Sequence, residues 1–172
     1  LRLSLKPRME EVATDYMTHM GQKMRAERIR RNDIDRHIRR LVRTLELAAP
    51  HEIQDCLLSF VKAQASAGVE CAYILDDTGI QATETVFGPP TGHGTRRRGF
   101  VFSPAHVGSD HSLKKYCYEL LHAGTGKYVS DPYISHATGS VCVTYSRIFH
   151  QQDGLGQILC LDYVQDWTLK RE

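Results

Sequence analysis

The sequence predicts an α+β fold, an antiparallel sheet of about five strands packed against N-terminal helices. Three observations predict it. Apolar residues recur at spacings of three and four through the first 67 positions, the helical period. From Val69 onward the pattern changes to short runs rich in β-branched and aromatic residues. Those runs are joined by short turn signals, which antiparallel neighbours allow and parallel ones do not. The 172 residues suit one domain.

The first helix rests on Leu5, Met9, Val12, Tyr16, Met20 and Met24, one apolar stripe with Pro7 near its first turn. The stripe has two possible partners: the rest of the same domain, or a second copy of the chain along a dimer seam. Asn32-Asp33 is expected to cap a second helix. That helix carries Ile34, Ile38, Leu41, Val42, Leu45 and Leu47 and ends before Ala49-Pro50. His51 to Ala67 reads as a third helix, with Ile53, Leu57, Leu58, Phe60 and Val61 facing inward and Gly68 ending it.

Val69 to Leu75 is the first strand, and Asp76-Asp77-Thr78-Gly79 is its turn. Ile80 to Phe87 returns as the second arm of a hairpin. Gly88 to Thr95 is a loop by composition, followed by Arg96-Arg97-Arg98 and a short strand at Phe100–Phe102. Ser112 to His122 reads as a helix with Leu113, Tyr116, Leu120 and Leu121 on its apolar face. Lys127–Ile134, Ser140–Phe149 and Leu155–Val164 are the last three strands, with Asp153-Gly154 as the tight turn between the final two. The organisation expected is a helical segment, residues 1–68, packing on the sheet and available as a dimer seam, and an α+β core, residues 69–172, in one domain overall.

The formal charge of +2 hides an asymmetry. Residues 1–50 hold 12 Lys/Arg against 7 Asp/Glu, and residues 51–172 hold 10 against 13. Arg25, Arg28, Arg30, Arg31, Arg36, Arg39, Arg40 and Arg43 carry the basic excess. Such a cluster suits either a nucleic-acid or anionic surface, or a solvated helix face laced with i,i+4 ion pairs. The five cysteines are odd in number, widely spaced and without a CxxC. They read as small buried hydrophobes, which favours a reducing, cytoplasmic compartment over a periplasmic one. No signal-peptide pattern and no apolar run of membrane-spanning length is found. The start at Leu1 suggests a piece of a longer protein.

No HExxH, GxSxG, P-loop or paired Cys/His zinc spacing occurs, so the reading is not an enzyme, and no cofactor or metal is expected. One stretch is more informative. It runs Gly108-Ser109-Asp110-His111-Ser112-Leu113-Lys114-Lys115-Tyr116, then Ser130-Asp131-Pro132-Tyr133-Ile134-Ser135-His136-Ala137-Thr138-Gly139, then Val141-Cys142-Val143-Thr144-Tyr145-Ser146. Ammonium and hydroxyl donors beside aromatic rings suit a small anionic or amphoteric ligand. Tyr116 and Tyr133 read equally as core aromatics with internal partners for their hydroxyls.

This stretch resembles the Cache (PDC) family of bacterial ligand sensors, whose fold is PAS-like. The shared pattern is a Gly/Asp/Ser turn leading into a basic residue and an aromatic, a Pro-Tyr strand, a Thr-Gly turn and a Val-Thr-x-Ser strand. Ile158-Leu159-Cys160-Leu161-Asp162-Tyr163 is similar to the family's last strand. The resemblance implies a ligand-sensing domain of a bacterial signalling protein. It would bind a small metabolite on the concave sheet through Lys114, Tyr116, Asp131, Tyr133 and Ser135. It would relay binding through flanking helices to an output domain of the parent chain, such as a cyclic-di-GMP enzyme. The family's amino-acid sensors carry Arg where this chain has Lys114, and an acid where it has Ser135. A small carboxylate or similar metabolite is therefore implied. The alternatives are a ligand-free dimerisation module and, further off, a nucleic-acid-binding domain using the arginine cluster.

Overall fold

The computed structural model describes residues 5–89 and 103–164. The short strand expected at Phe100–Phe102 and the Arg96–Arg98 run lie outside the described residues. The chain forms two compact units, residues 1–40 and 41–172.

The helix α1 runs unbroken over Leu5–Leu47. The break expected at Asn32-Asp33 does not occur. The acids there are engaged along the helix surface instead of capping: Asp33 pairs with Arg36 at 3.1 Å and Asp35 with Arg39 at 3.2 Å. Glu27 pairs with Arg31 in the same way at 3.2 Å. The arginine cluster is thus in part a face of ion pairs at i,i+3 and i,i+4 spacing. Ile34, Ile38, Leu41, Val42 and Leu45 are buried, as their period requires, whereas Leu47 is exposed. The methionine stripe behaves differently. Met9, Val12, Tyr16 and Met24 are each more than 60% exposed, so among the described residues nothing covers these side chains.

In the second unit a one-turn 3-10 helix, Pro50–Glu52, leads into α2, Ile53–Ala63. Ile53, Leu57 and Val61 are its buried residues, one per turn. A second 3-10 turn, Ala65–Ala67, ends at Gly68, whose φ of 89° only glycine adopts at low cost.

Among the described residues the sheet has six strands, against about five expected. They are β1 (Val69–Asp76), β2 (Val86–Phe87), β3 (Lys127–Val129), β4 (Tyr133–Ile134), β5 (Val141–His150) and β6 (Gly156–Val164). The order is β2-β1-β6-β5-β3, with β4 also on β5, and every pairing is antiparallel. The extra strand arises because the segment expected as one strand, Lys127–Ile134, is cut in two. Pro132 has no N–H to give the ladder. At the cut, the Ser130 hydroxyl accepts from Thr144 N at 2.9 Å in place of a backbone carbonyl. The return arm expected over Ile80–Phe87 keeps only Val86–Phe87 as strand and otherwise makes isolated bridges, Leu75 to Gln81 and Ile80 to Asp110.

The helix α3 covers Lys115–Ala123 and begins three residues later than expected. Residues 112–114 form the turn before it, with Ser112 N bonded to the Asp110 carboxylate at 2.8 Å.

Residues opposed across strands share a face. Cys71, Tyr73 and Leu75 therefore share one face with Asp162, Cys160 and Ile158, and with Thr144, Ser146 and Ile148. The lower half of this face forms a core of Tyr73, Leu75, Ile158 and Cys160 with Tyr116, Cys117 and Leu120 of α3. Ser146 Oγ donates to Tyr116 O at 3.2 Å and ties the helix to β5. On the other face, α2 lies against β1 and β2.

Candidate functional site

The polar end of the α3-bearing face is built around one carboxylate. Asp162 on β6 is 4% exposed. Thr144 Oγ1 donates to its Oδ1 at 2.8 Å, Tyr133 O–H to its Oδ2 at 3.1 Å, and Cys71 Sγ lies 3.5 Å from the same oxygen. These donors come from β5, β4 and β1, so the strand order itself assembles the cluster. All are neutral, and no cation among the described residues pairs with Asp162. Burial pushes its carboxyl up to about 6; the three hydrogen bonds work against that shift and the Glu70 charge reinforces it.

Glu70 joins the cluster through a β-bulge. The register of β1 against β6 shifts between Val69 and Cys71. A bulge brings two successive side chains toward one face. Accordingly Cys71 reaches Asp162, while Glu70 accepts from Cys142 Sγ at 3.0 Å.

Beside this cluster runs a chain of hydrogen bonds whose proton order can be deduced. Gln81 Nε2 faces the carbonyls of Thr83 (2.8 Å) and Ala105 (3.2 Å), which only accept. The amide is thereby oriented, and Gln81 Oε1 faces His111 Nε2 at 3.0 Å. His111 Nε2 must then carry the proton. Burial, then the nearby Lys114 charge, lower the His111 pKa, so the ring is neutral at pH 7 and its Nδ1 is an acceptor. Tyr116 O–H therefore donates to Nδ1 at 2.6 Å, and Tyr73 O–H donates to the Tyr116 oxygen at 2.9 Å. Burial pushes the Tyr73, Tyr116 and Tyr133 phenols up, so all three remain protonated.

Tyr116, Tyr133, Thr144 and Tyr73 thus spend their protons on protein acceptors. The buried carboxylate is set among oxygens whose protons are already committed, an arrangement that, among the described residues, lacks a cationic donor.

The residues expected from sequence fall in different places. Tyr116 and Tyr133 lie in the two networks. Lys114 is exposed at the N-cap of α3, with no side-chain capping bond. Asp131 pairs with Lys115 at 2.9 Å and its side chain is 83% exposed. Ser135 is buried, and its hydroxyl accepts from Ala137 N at 3.3 Å in the turn after β4. Sequence reasoning missed Asp162, Glu70, Thr144, Cys71, Tyr73 and His111 as site residues. A lone acid in the otherwise apolar run Ile158–Tyr163 was the available signal. Among the described residues no group of His, Cys, Asp and Glu is arranged to hold a metal ion.

No protein-family model and no curated protein matches the sequence. Solved structures do match in fold. The Bacillus subtilis YkuI protein, which has an EAL domain and was solved with substrate c-di-GMP and calcium, aligns with 95% of this chain and 39% of its own, at 18% identity and a TM-score of 0.63. The ligand-binding domain of the Pseudomonas fluorescens chemoreceptor CtaA, in complex with L-serine, aligns over 90% of this chain and 60% of its own, at 18% identity and a TM-score of 0.52. The sensory domain of the Campylobacter jejuni chemoreceptor Tlp3, with isoleucine bound, aligns over 78% and 51%, at 15% identity and a TM-score of 0.54. The chain has a Cache-like fold. At these identities the likeness is one of fold, and the Cache-like chain spans about two fifths to three fifths of those structures. No helix among its described residues is long and apolar enough to cross a membrane.

Proposed function

We propose that the chain is the ligand-sensing module of a bacterial signalling protein, and that its ligand is a small amphoteric metabolite bearing an ammonium group. The buried Asp162, held only by neutral donors, carries this reading. An ionised acid at 4% exposure is costly, and an incoming cation offsets that cost. The acid that the family's amino-acid sensors hold at the position of Ser135 has a counterpart here in Asp162, beside Tyr133. In this reading Lys114, at the start of α3, is the anchor for the ligand's carboxylate, Tyr116 and Tyr133 supply ring contacts, and Asp131 and Ser135 flank β4. The chemoreceptor domains with this fold were solved with L-serine and isoleucine, which have this charge pattern.

The wider reading follows the same lines. A second copy covers the exposed stripe of α1, and ligand binding shifts the packing of the flanking helices toward an output domain in the parent chain. A ligand does this only through its differential affinity for the two arrangements. A cyclic-di-GMP enzyme is the output favoured, because the fold recurs in a protein with an EAL domain. Placement in a reducing, cytoplasmic compartment agrees with five free cysteines, four of them buried. The reading is of a binding module, not of a catalyst.

The test is a thermal-shift screen at pH 7.5 of the 172-residue chain against amino acids, simple amines and organic acids. The proposal expects stabilisation by ammonium-bearing compounds, lost in Asp162→Asn. Stabilisation by organic acids alone, or by no compound, would overturn it.

A further inference from the structure

The arginines of α1 are not spread evenly around the helix. Arg25, Arg28, Asn32, Arg36 and Arg39 follow one another at spacings of 3, 4, 4 and 3 residues. At about 100° per residue these five positions fall within a sector of about 80°, and at about 1.5 Å per residue they span about 21 Å. The buried Ile34 and Ile38 lie on the opposite side of the helix, as do Met9, Val12 and Tyr16. A second copy seated on the apolar stripe would therefore leave the arginine sector open.

The charges of this sector are poorly neutralised. Every residue from Arg25 to Asn32 is exposed. Arg25 and Arg28 have no acid three or four positions to either side, and neither makes an ion pair among the described residues. Arg36 and Arg39 hold Asp33 and Asp35 with side chains 70% and 55% exposed, and such surface pairs are weak and screened by salt. Arg25 and Arg28, Arg28 and Arg31, and Arg36 and Arg39 set like charges three residues apart, which weakens a helix. A face that serves only solubility gains by mixing the signs. This one strains its own helix and complements an extended array of negative charge.

We propose that the arginine sector of α1 is a docking surface for double-stranded DNA, held through its phosphates without choice of sequence. The guanidinium fork matches two phosphate oxygens at once. B-form DNA carries negative charge along its whole length, and its major groove, about 12 Å wide, admits a helix. A lipid surface is disfavoured. A helix lying in a membrane interface buries an apolar face flanked by basic residues. Here Ile29 is the one large apolar side chain exposed between Arg25 and Arg39. The surface is separate from Asp162 and its ligand.

The test is fluorescence anisotropy of a labelled 20-base-pair DNA duplex with the 172-residue chain, over a salt series. Four phosphate contacts predict a slope of log affinity against log salt of about −3.6, an affinity loss of about 150-fold between 50 and 200 mM salt. Arg25→Gln with Arg28→Gln, and Arg36→Gln with Arg39→Gln, should each bring the slope to about −1.8, since glutamine keeps the helix and removes the charge. Lys62→Gln on α2 and Asp162→Asn should leave it unchanged. No anisotropy change at 50 mM salt, or a slope that survives both double variants, would overturn the proposal. So would tighter binding to vesicles of phosphatidylcholine with 30% phosphatidylserine than to the duplex, which would make the surface a membrane contact.

Discussion

Replacing Asp162 with asparagine isolates the ionisation on which the binding site depends. The folded protein holds this carboxyl near 6, against an ordinary value of 3.8. The interval corresponds to about 3 kcal/mol at 1.36 kcal/mol per pH unit. The sign follows from where the proton binds better. The folded state raises the pKa, so between about pH 4 and 6 it binds more protons than the unfolded chain. Stability is therefore full below the unfolded value and is lost as pH rises through the folded one. The asparagine variant has no such loss. Urea denaturation of both proteins at several pH values from 4 to 7.5 gives the difference between them, in which the other titrating groups largely cancel. That difference should move by about 2.4 kcal/mol in favour of the variant across this pH range. A difference that stays constant with pH would show that Asp162 ionises as an ordinary surface acid, and would remove the physical basis of the cation site.

Other outcomes are equally specific. Gly79→Ala should cost roughly 2–4 kcal/mol in urea denaturation, because φ is +89° and an added Cβ would lie 2.8 Å from Ser112 Cα. Tyr133→Phe and Lys114→Ala should each weaken the ammonium-bearing ligand by calorimetry while leaving the circular dichroism unchanged; full affinity in both would take them out of the site. Met20→Asp should convert a dimer to monomer by light scattering, and an unchanged mass would refute a seam along α1. Titration with a thiol reagent under native conditions should give at most one fast-reacting group, Cys56. Cys71, Cys117, Cys142 and Cys160 are buried with thiols pushed up by burial, and several fast groups would contradict that packing.

Much of the fold was legible because period and turn chemistry agree. The run Val69–Leu75 and the two long C-terminal strands were read within a residue or two, as was the end of the helical region at Gly68. The errors have local causes. Asn32-Asp33 looks like a cap only when the arginines three and four positions after its acids are left out. The division of Lys127–Ile134 into β3 and β4 follows from Pro132 and the Ser130 hydroxyl, a side-chain-to-backbone bond that periodicity does not reveal. Tyr116 and Tyr133 were legible as site candidates because aromatic hydroxyls next to a turn stand out. Asp162 was not, since its partners Thr144, Tyr133 and Cys71 lie 18, 29 and 91 residues away in the chain. Its neighbours exist only after the strands are ordered. The bulge that brings in Glu70 likewise belongs to the register and not to the sequence pattern.

Proton linkage on binding tests the central claim most directly. Isothermal titration calorimetry with an ammonium-bearing ligand from the screen should show affinity falling about tenfold from pH 7.5 to pH 5, since only the ionised fraction of Asp162 is competent. At pH 6, in buffers of different ionisation enthalpy, about half a proton should be released per ligand bound. Affinity independent of pH, with no proton released, would contradict a ligand held by the buried carboxylate of Asp162.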